Sequence, residues 1–202
     1  MGKMAGTVDP TKTKDEIIVT VKVTLRDIQP PVWRRLRFSS RMTLGKLHQA
    51  IQAAMGWEDA HLHAFEINGR RYGDPRIVDD VTDEKRLTLD GVMHSGATSF
   101  TYTYDFGDDW EHTVAIEATA PADDRESYPA CIAGKRTCPP EDCGGPWGYG
   151  RMLEILADPA HPEHAEQLAW VGDEFDPEDF AVAIADAAVA ARFNRRPVIG
   201  KR

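Results

Sequence analysis

The sequence predicts an α+β fold: a mostly antiparallel sheet with one packed amphipathic helix, followed by a Cys-, Pro- and Gly-rich loop and a C-terminal helical segment. Residues 16–26 and 99–118 alternate apolar and polar side chains with the period of a half-buried strand. Residues 44–55 place apolar side chains three to four positions apart, which is typical of one helix face. The 202 residues are enough for one globular domain with an appendage, or for two small domains.

The first third of the chain is predicted to place this helix between two hairpins. Two prolines at 30 and 31 separate the strand at 16–26 from an extended segment at 32–38. Thr43 can cap the helix at its start, and Gly56 can end it. A strand at 61–67 turns back at Asn68 and Gly69, a dipeptide favoured in two-residue hairpin loops. A further strand is predicted at 87–93.

The hairpin at 99–118 carries the densest aromatic pattern. If residues 107–109 form a three-residue loop, Phe106 pairs with Trp110, and Tyr104 pairs with His112. Both apolar rows then share one face, whereas a two-residue loop would set them on opposite faces. A sheet with one buried side requires the first arrangement.

The chain changes character after residue 121. A polar loop is predicted up to residue 147, followed by a short helix that ends at Asp158 and a second helix at 163–171, with Pro162 in its first turn. Asp176 is expected to cap a third helix that runs to residue 193. The predicted organisation is a tail at 1–14, a sheet domain at 15–120, the loop and helices packed on it at 121–193, and a basic tail at 194–202.

Charge and hydropathy limit the possible partners. The net charge is −9, and residues 101–202 contain 9 basic and 20 acidic side chains, which opposes nonspecific attraction to nucleic-acid phosphates. No segment approaches the roughly 18 apolar residues of a membrane span, and residues 1–14 lack the apolar centre of a signal peptide. We therefore expect a cytoplasmic protein with no membrane partner.

Three cysteines close together in the sequence suggest a metal site. Cys131, Cys138 and Cys143 lie in the Gly- and Pro-rich loop, and an odd number of cysteines without an export signal argues against a disulfide framework. Zinc takes four ligands in a tetrahedron, and His112 is the preferred fourth ligand because its strand leads into this loop, with His61 or His63 as the alternatives. The alternative is that the three thiols are small buried or solvent-facing groups.

Two other groups could form recognition surfaces. Arg34, Arg35 and Arg37 could build an anion-binding face, although alternating arginines are also typical of the solvated side of a strand. Trp110 and Trp147 have polar neighbours and could line a groove, although tryptophans are more often core or rim anchors.

Histidine and aspartate pairs give further candidate ligands. His61 and His63 are two residues apart and would share one face of a strand, either as ligands or as hydrogen-bonded rim residues. Asp105 and Asp108 crowd the hairpin turn, where they could bind a divalent cation or act only as turn residues.

Several motifs, in this order, resemble the plasmid pRiA4b ORF-3-like family over residues 17–180. They lie at residues 23–25, 31–35, 55–57, 61–65, 104–112 and 138–149. The resemblance implies an α+β fold and an occurrence on plasmids and chromosomes, with one relative described as a resolvase-like TnpR protein of an insertion element. It brings no catalytic residues with it, and the chain shows no serine-nucleophile motif and no basic helix-turn-helix pattern.

Three functions remain open. The first is a non-catalytic binding or adaptor module with an unidentified protein or nucleic-acid partner, which a structural zinc could stabilise. The second is a nucleic-acid accessory factor of mobile elements that uses the arginine face. The third is a metal-dependent hydrolase that uses His61, His63, His112 and nearby aspartates to activate water. The sequence leaves the oligomeric state open.

Overall fold

A computed structural model describes residues 16–194, and its centre is one eight-stranded sheet in the order β5-β4-β3-β6-β7-β1-β2-β8. All neighbouring strands are antiparallel except β4 and β5, which run parallel. Five helices accompany the sheet, which confirms the predicted α+β class. The predicted tail at 1–14, and all of the basic tail except Asn194, lie outside the described residues.

The elements follow one another along the chain with short connections. The strands are β1 (Ile17–Leu25), β2 (Trp33–Ser39), β3 (His63–Ile67), β4 (Arg70–Gly73), β5 (Thr82–Asp83), β6 (Ser99–Tyr104), β7 (Trp110–Pro121) and β8 (Ala130–Lys135). The helices are α1 (Leu44–Met55), α2 (Leu89–His94), α3 (Gly145–Ala157), α4 (His164–Val171) and α5 (Val182–Arg192), and Glu84–Arg86 forms a 3₁₀ turn. None of these helices is long and apolar enough to cross a bilayer.

One face of the sheet and the apolar side of α1 form the core. The inward residues of β1 and β2 are fully buried, and they share a single cluster with the apolar stripe of α1. Helix α5 packs on both α1 and β8, so the C-terminal segment also contributes to this core through Ala185 and Val189. The alternation of β1 and the helical spacing of α1 therefore predicted the central layers correctly.

The β6–β7 hairpin differs from its predicted register by two residues. Tyr104 pairs with Trp110 and Tyr102 pairs with His112, so the connection is 105–109 and the predicted three-residue loop is wrong. Asp105 leaves the ladder because its backbone has a positive φ of 55° and its Oδ1 accepts a hydrogen bond from the Gly107 N–H. Side chains alternate between the two sheet faces, so a register shift of two residues leaves each side chain on the same face. Both apolar rows therefore still share one face.

Two predicted elements differ from the structure because of local hydrogen bonds. The segment predicted as a strand at 87–93 contains α2, because the Thr88 hydroxyl caps it by accepting from the Gly91 N–H at 3.2 Å. The helix expected to start at Asp176 begins at Val182. The carboxylate of Asp176 accepts from the Glu178 N–H and forms a turn, so it does not cap that helix.

The loop predicted to run up to residue 147 contains an additional strand. β8 pairs antiparallel with β2, with a register irregularity between Arg35 and Leu36. Its short alternating stretch is interrupted by Gly134, whose added Cβ would lie 2.5 Å from the Phe180 ring. The missing side chain at this position weakens the strand pattern in the sequence, and it also allows Phe180 to cover the sheet.

A buried glutamate lies against the first turn of α1. Glu84 is nearly fully buried, and a Cβ added at Gly45 would lie 2.8 Å from Glu84 Oε1. Thr43 occupies the N-cap position as predicted, but its side chain makes no capping hydrogen bond. The Glu84 carboxylate therefore supplies negative charge near the positive end of the helix dipole.

We predict that Gly45→Ala destabilises the protein, although alanine is usually the better helix former. The new methyl group would displace a carboxylate that is also bonded to His63, and such overpacking typically costs about 1–3 kcal/mol. Urea unfolding measures the free-energy change. Gly150→Ala in α3 is the matched control, because no atom lies within 4 Å of its added Cβ. Equal stability of the two variants would contradict the close approach of Glu84.

Candidate functional site

A cleft of about 770 Å³ opens beside the N-terminal half of α1. Its walls come from α1, the segment before β3, the 3₁₀ turn and the β6–β7 connection. Seven histidine, aspartate and glutamate side chains line it: His48, Asp59, His61, His63, Asp74, Glu84 and Asp105. Because three of them come from different secondary-structure elements, the fold concentrates here groups that are far apart in the sequence.

Two buried imidazole rings stack at the base of this cleft. The rings of His48 and His63 have centroids 3.5 Å apart and an interplanar angle of 6°. His48 belongs to the inward face of α1, and His63 is the first residue of β3. The Tyr102 ring lies about 6 Å from both, with centroid distances of 5.9 and 6.0 Å.

The tautomer of His48 follows from its two partners. Its Nε2 lies 2.8 Å from Asp59 Oδ1, and its Nδ1 lies 2.8 Å from the Tyr102 hydroxyl. An ionised carboxylate can only accept, so Nε2 carries the proton and Nδ1 accepts from Tyr102. Burial raises the pKa of Tyr102 well above its ordinary value, and the hydroxyl also accepts from Gln52 Nε2 at 2.9 Å. Asp59 Oδ2 accepts from Arg192 at 3.0 Å.

The electrostatics of this pair are dominated by burial and by the hydrogen bond between its members. Burial lowers the pKa of His48, and the bond to Asp59 opposes that change only in part. The hydrogen bond donated by His48 is the main cause of the lowered pKa of Asp59. The neutral ring and the ionised carboxylate are therefore the favoured forms.

The second ring keeps one nitrogen free. His63 Nε2 lies 2.8 Å from Glu84 Oε2, and both side chains are buried. Because the carboxylate accepts, Nε2 carries the proton and the lone pair is on Nδ1. Nδ1 makes no hydrogen bond to any described residue, and His63 lines the cleft.

His48, Asp59 and His63 together form a candidate metal-ligand group. One donor atom from each lies within 4.8 Å of the other two. Two imidazoles and one carboxylate are a donor set suited to Zn²⁺ and other transition metals. Each candidate ligand also has a hydrogen bond to a further polar residue. The partners are Tyr102 for His48, Arg192 for Asp59 and Glu84 for His63. Such partners orient ligands in metal sites.

A second group lies at the edge of this cleft, where His61 and Asp105 belong to its lining and Asp142 lines a neighbouring cleft. His61, Asp105 and Asp142 likewise offer donor atoms within 4.8 Å of one another. His61 Nδ1 is 3.6 Å from Asp105 Oδ2, and His61 Nε2 is 3.2 Å from Asp142 Oδ1. Asp142 belongs to the Cys-rich segment, so this group joins that segment to the β6–β7 connection.

Comparisons with known proteins agree with this fold. The sequence model described as plasmid pRiA4b ORF-3-like protein matches residues 17–183. The chain belongs to this family. It is 46% identical over 158 residues to the uncharacterized protein y4hQ of Sinorhizobium fredii (strain NBRC 101917 / NGR234), covering 77% of this chain and 81% of that protein. The crystal structure of a protein of unknown function, MM3350 from Methanosarcina mazei Go1, has a TM-score of 0.78 and 40% identity, covering 83% of this chain and 97% of that one.

The family resemblance inferred from the motifs is therefore confirmed, and with it the α+β fold. The matched span contains both histidine groups and the three cysteines. The names of these relatives state no activity.

The residues of the predicted cysteine site are not brought together. Among the described residues, neither group of converging ligand atoms includes Cys131, Cys138, Cys143 or His112. The Cys131 thiol lies 3.7 Å from the Ala133 carbonyl oxygen, within its own strand. Burial raises the pKa of Cys138, and it raises that of Cys143 to about 12.

His112 lies in the core and is separated from the cleft. β6 lies between β3 and β7, so His63 and His112 sit on strands about 10 Å apart. The predicted hydrolase set of His61, His63 and His112 is therefore not assembled, although His61 and His63 line one cleft. His112 Nδ1 lies 3.2 Å from the Tyr102 carbonyl oxygen, and Nε2 has no hydrogen-bond partner in the described part of the chain.

The predicted arginine face is split between the two sides of the sheet. Arg34 points inward with 2% exposure and donates to the carbonyl oxygens of Ala54, Trp33 and Lys135. Arg35 and Arg37 point outward, where they form ion pairs with Glu117 and Glu126. The three arginines therefore do not share one face of the sheet, and Arg35 and Arg37 already have carboxylate partners.

The remaining candidate residues, two tryptophans and two aspartates, also lie in different environments. Trp110 is fully buried, whereas Trp147 on α3 is 77% exposed, so they do not line a common groove. Asp108 Oδ2 accepts from the Gly144 N–H at 3.1 Å and ties the hairpin connection to the Cys-rich segment. Asp105 is buried and belongs to the second ligand group.

Sequence reasoning missed His48, Asp59 and Glu84. His48 follows Leu47 within the predicted apolar stripe of α1, and a polar residue in a buried stripe signals a required partner. Neither Asp59 nor Glu84 has a comparable local signal, because both become important only through contacts with α1 and β3.

We predict that His112 makes stability fall in acid. Burial lowers its pKa to about 4, below the roughly 6.5 expected in the unfolded chain. Between these values the unfolded chain binds more protons, so stability is complete above about pH 6.5 and declines until about pH 4, by about 3 kcal/mol. Urea unfolding from pH 7 to pH 4 measures this slope, which His112→Gln should reduce. The exposed His94→Gln variant serves as control, and an unchanged slope in His112→Gln would contradict the assignment.

The split of the arginines predicts unequal effects on stability. Arg34→Met keeps the aliphatic stem but leaves three carbonyl groups without their donor, and we expect a loss of about 2–4 kcal/mol. Arg35→Met removes a partly exposed ion pair worth no more than about 1 kcal/mol. Thermal and urea unfolding compare the two variants. Equal losses would show that Arg34 is not a structural residue.

Proposed function

We propose that this protein is a divalent-metal-binding module whose ion is held by His48, Asp59 and His63 at the base of the cleft. The observation that carries the proposal is the combination of two imidazoles and a carboxylate with donor atoms within 4.8 Å, each positioned by a further polar residue. Zn²⁺ is the probe of choice because imidazole and carboxylate together suit it. The proposal keeps the predicted binding role but moves the metal from the cysteines to the histidines.

The hydrogen bonds already prepare His63 for this role. Glu84 accepts from Nε2, which leaves the Nδ1 lone pair available toward the cleft. A carboxylate behind a histidine fixes the ring orientation and raises its basicity as a ligand. Gly45 contributes by leaving room for Glu84 beside α1.

Binding of one ion by both histidines requires the two rings to turn relative to each other, because imidazole lone pairs lie in the ring planes and parallel rings 3.5 Å apart do not direct them at one point. His48 and Asp59 then exchange one interaction for another. In the structure they share a hydrogen bond between Nε2 and Oδ1. An ion bound between these atoms replaces that bond, with the ring proton of His48 then on Nδ1 and the Tyr102 oxygen as its acceptor. Arg192 holds the other oxygen of Asp59.

Zinc titration by calorimetry tests the site. We expect His63→Ala and His48→Ala to weaken Zn²⁺ binding at least 10-fold, and Glu84→Gln to weaken it about 10–100-fold through the ligand it positions. His94→Ala removes an exposed histidine that contacts only its own helix, so it should bind like the wild type. Circular dichroism confirms that each variant is folded.

Two results would overturn this assignment. Unchanged zinc affinity in folded His63→Ala would exclude His63 as a ligand. Loss of zinc in Cys131→Ser or Cys138→Ser, with retention in His63→Ala, would return the metal to the Cys-rich segment.

A metal-dependent hydrolase is the second candidate function. Three protein ligands in an open cleft leave coordination positions for water, as in catalytic rather than structural zinc sites. Release of nitrophenol from nitrophenyl phosphate and acetate esters by the zinc-loaded protein tests this function. Turnover by the zinc-loaded wild-type protein that is lost in His63→Ala would support this function. Wild-type turnover no faster than that of zinc-loaded His63→Ala would exclude it.

A further inference from the structure

Two exposed tryptophans border grooves on the part of the surface formed by α3 and α4. Trp147 on α3 is 77% exposed, and Trp170 on α4 is 51% exposed. The groove at Trp147 measures about 550 Å³ and the groove at Trp170 about 610 Å³, and Arg151 and Ile155 line both of them. Neither groove shares a lining residue with the cleft. Large exposed aromatic side chains beside grooves are typical of protein–protein contacts.

One side of α3 borders open space and is called the α3 face below. Its members follow one another at helical spacing and line the groove at Trp147; they are Trp147, Gly150, Arg151, Glu154 and Asp158. All of them are exposed except Gly150, which is partly exposed. The other side of α3 contributes Tyr149 and Met152 to the core, so the helix is held in place while the α3 face is free for a partner.

The glycine in the middle of the α3 face is not explained by packing within residues 16–194. Glycine destabilises the interior of a helix relative to alanine, and a close neighbour is the usual reason for it. A Cβ added at Gly148 would overlap the Cys143 carbonyl oxygen, so that glycine is required by the fold. A Cβ added at Gly150 would meet open space, with no neighbouring group within 4 Å. Gly150 therefore allows a partner to approach the helix backbone beside the Trp147 ring.

The charge of this surface indicates the chemistry of its partner. Residues 137–191 contain 12 acidic side chains and a single Lys or Arg, which is Arg151. Arg151 already forms an ion pair with Glu163 at 2.9 Å. Three carboxylates that line the grooves form no ion pair with a Lys or Arg of the described chain: Glu154, Asp158 and Glu166. The surface therefore attracts cationic groups and repels the phosphates of nucleic acids and anionic lipids.

We infer that the α3 face, together with Trp170, binds an arginine-rich segment of a partner protein. A guanidinium group stacks on an indole ring and forms paired hydrogen bonds with a carboxylate. The surface offers both within reach, since Glu154 lies two helical turns from Trp147 and Glu166 lies one turn from Trp170. A second copy of this chain is less suitable, because a symmetric contact would place the same carboxylates against one another. The inference uses no residue of the proposed zinc site.

Fluorescence anisotropy of a labelled nona-arginine peptide, titrated with the full chain, tests this surface. A salt concentration of about 0.15 M screens charges that are more than about 8 Å apart. We expect Trp147→Ala and Gly150→Leu to weaken peptide binding about 10-fold or more, as for residues at the centre of an interface. Gly150→Leu is the most informative variant, because it fills the open space without changing the charge and introduces a better helix former. Circular dichroism confirms that each variant is folded.

Glu66→Gln is the control for charge. Glu66 is exposed on β3 and lines neither groove, so this variant should bind the peptide like the wild type, whereas Glu154→Gln should bind more weakly. Equal affinity in the wild type, Gly150→Leu and Glu66→Gln would overturn the inference, because the peptide would then be held only by the net negative charge. A wild-type protein that does not bind the peptide, but forms a dimer that Gly150→Leu disrupts in sedimentation velocity, would also overturn it and assign the α3 face to a second copy.

Discussion

The stacked pair of His48 and His63 is the constraint on which the cleft depends. Two imidazoles buried face to face must each find a partner for the ring N–H, since a buried donor without one is costly. The partners come from two other places in the chain, Asp59 after α1 and Glu84 in the 3₁₀ turn. Satisfying this pair therefore fixes α1 against β3 and brings the intervening segments to the same opening.

The layers of the fold could be predicted because they depend on local periodicity. β1 and the β6–β7 hairpin alternate with period two, and α1 repeats its apolar residues at helical spacing, so each shows its buried face in the sequence alone. The predictions that were wrong concern segments whose structure depends on hydrogen bonds, which the periodicity of apolar residues does not reveal. Asp105 extends the hairpin connection, Thr88 caps α2, and Asp176 forms a turn before α5 instead of starting it.

The site was less predictable because its members are joined by tertiary contacts. His61, His63 and Asp105 were candidates from their type and spacing, and they line the cleft. The three cysteines are close in sequence, yet neither group of converging ligand atoms in residues 16–194 contains one of them. His48 lies 15 residues before His63 and meets it only because α1 crosses the sheet at that point.

β8 has a further consequence for the integrity of the chain. It covers the backbone N–H and C=O groups of β2, and the Asp186 carboxylate on α5 accepts from the Cys131 N–H at 2.9 Å to hold it there. A protein truncated before residue 130 would expose the edge of β2 as a template for pairing with other chains. Such fragments would self-associate through the exposed edge strand, although every residue of the cleft would be unchanged.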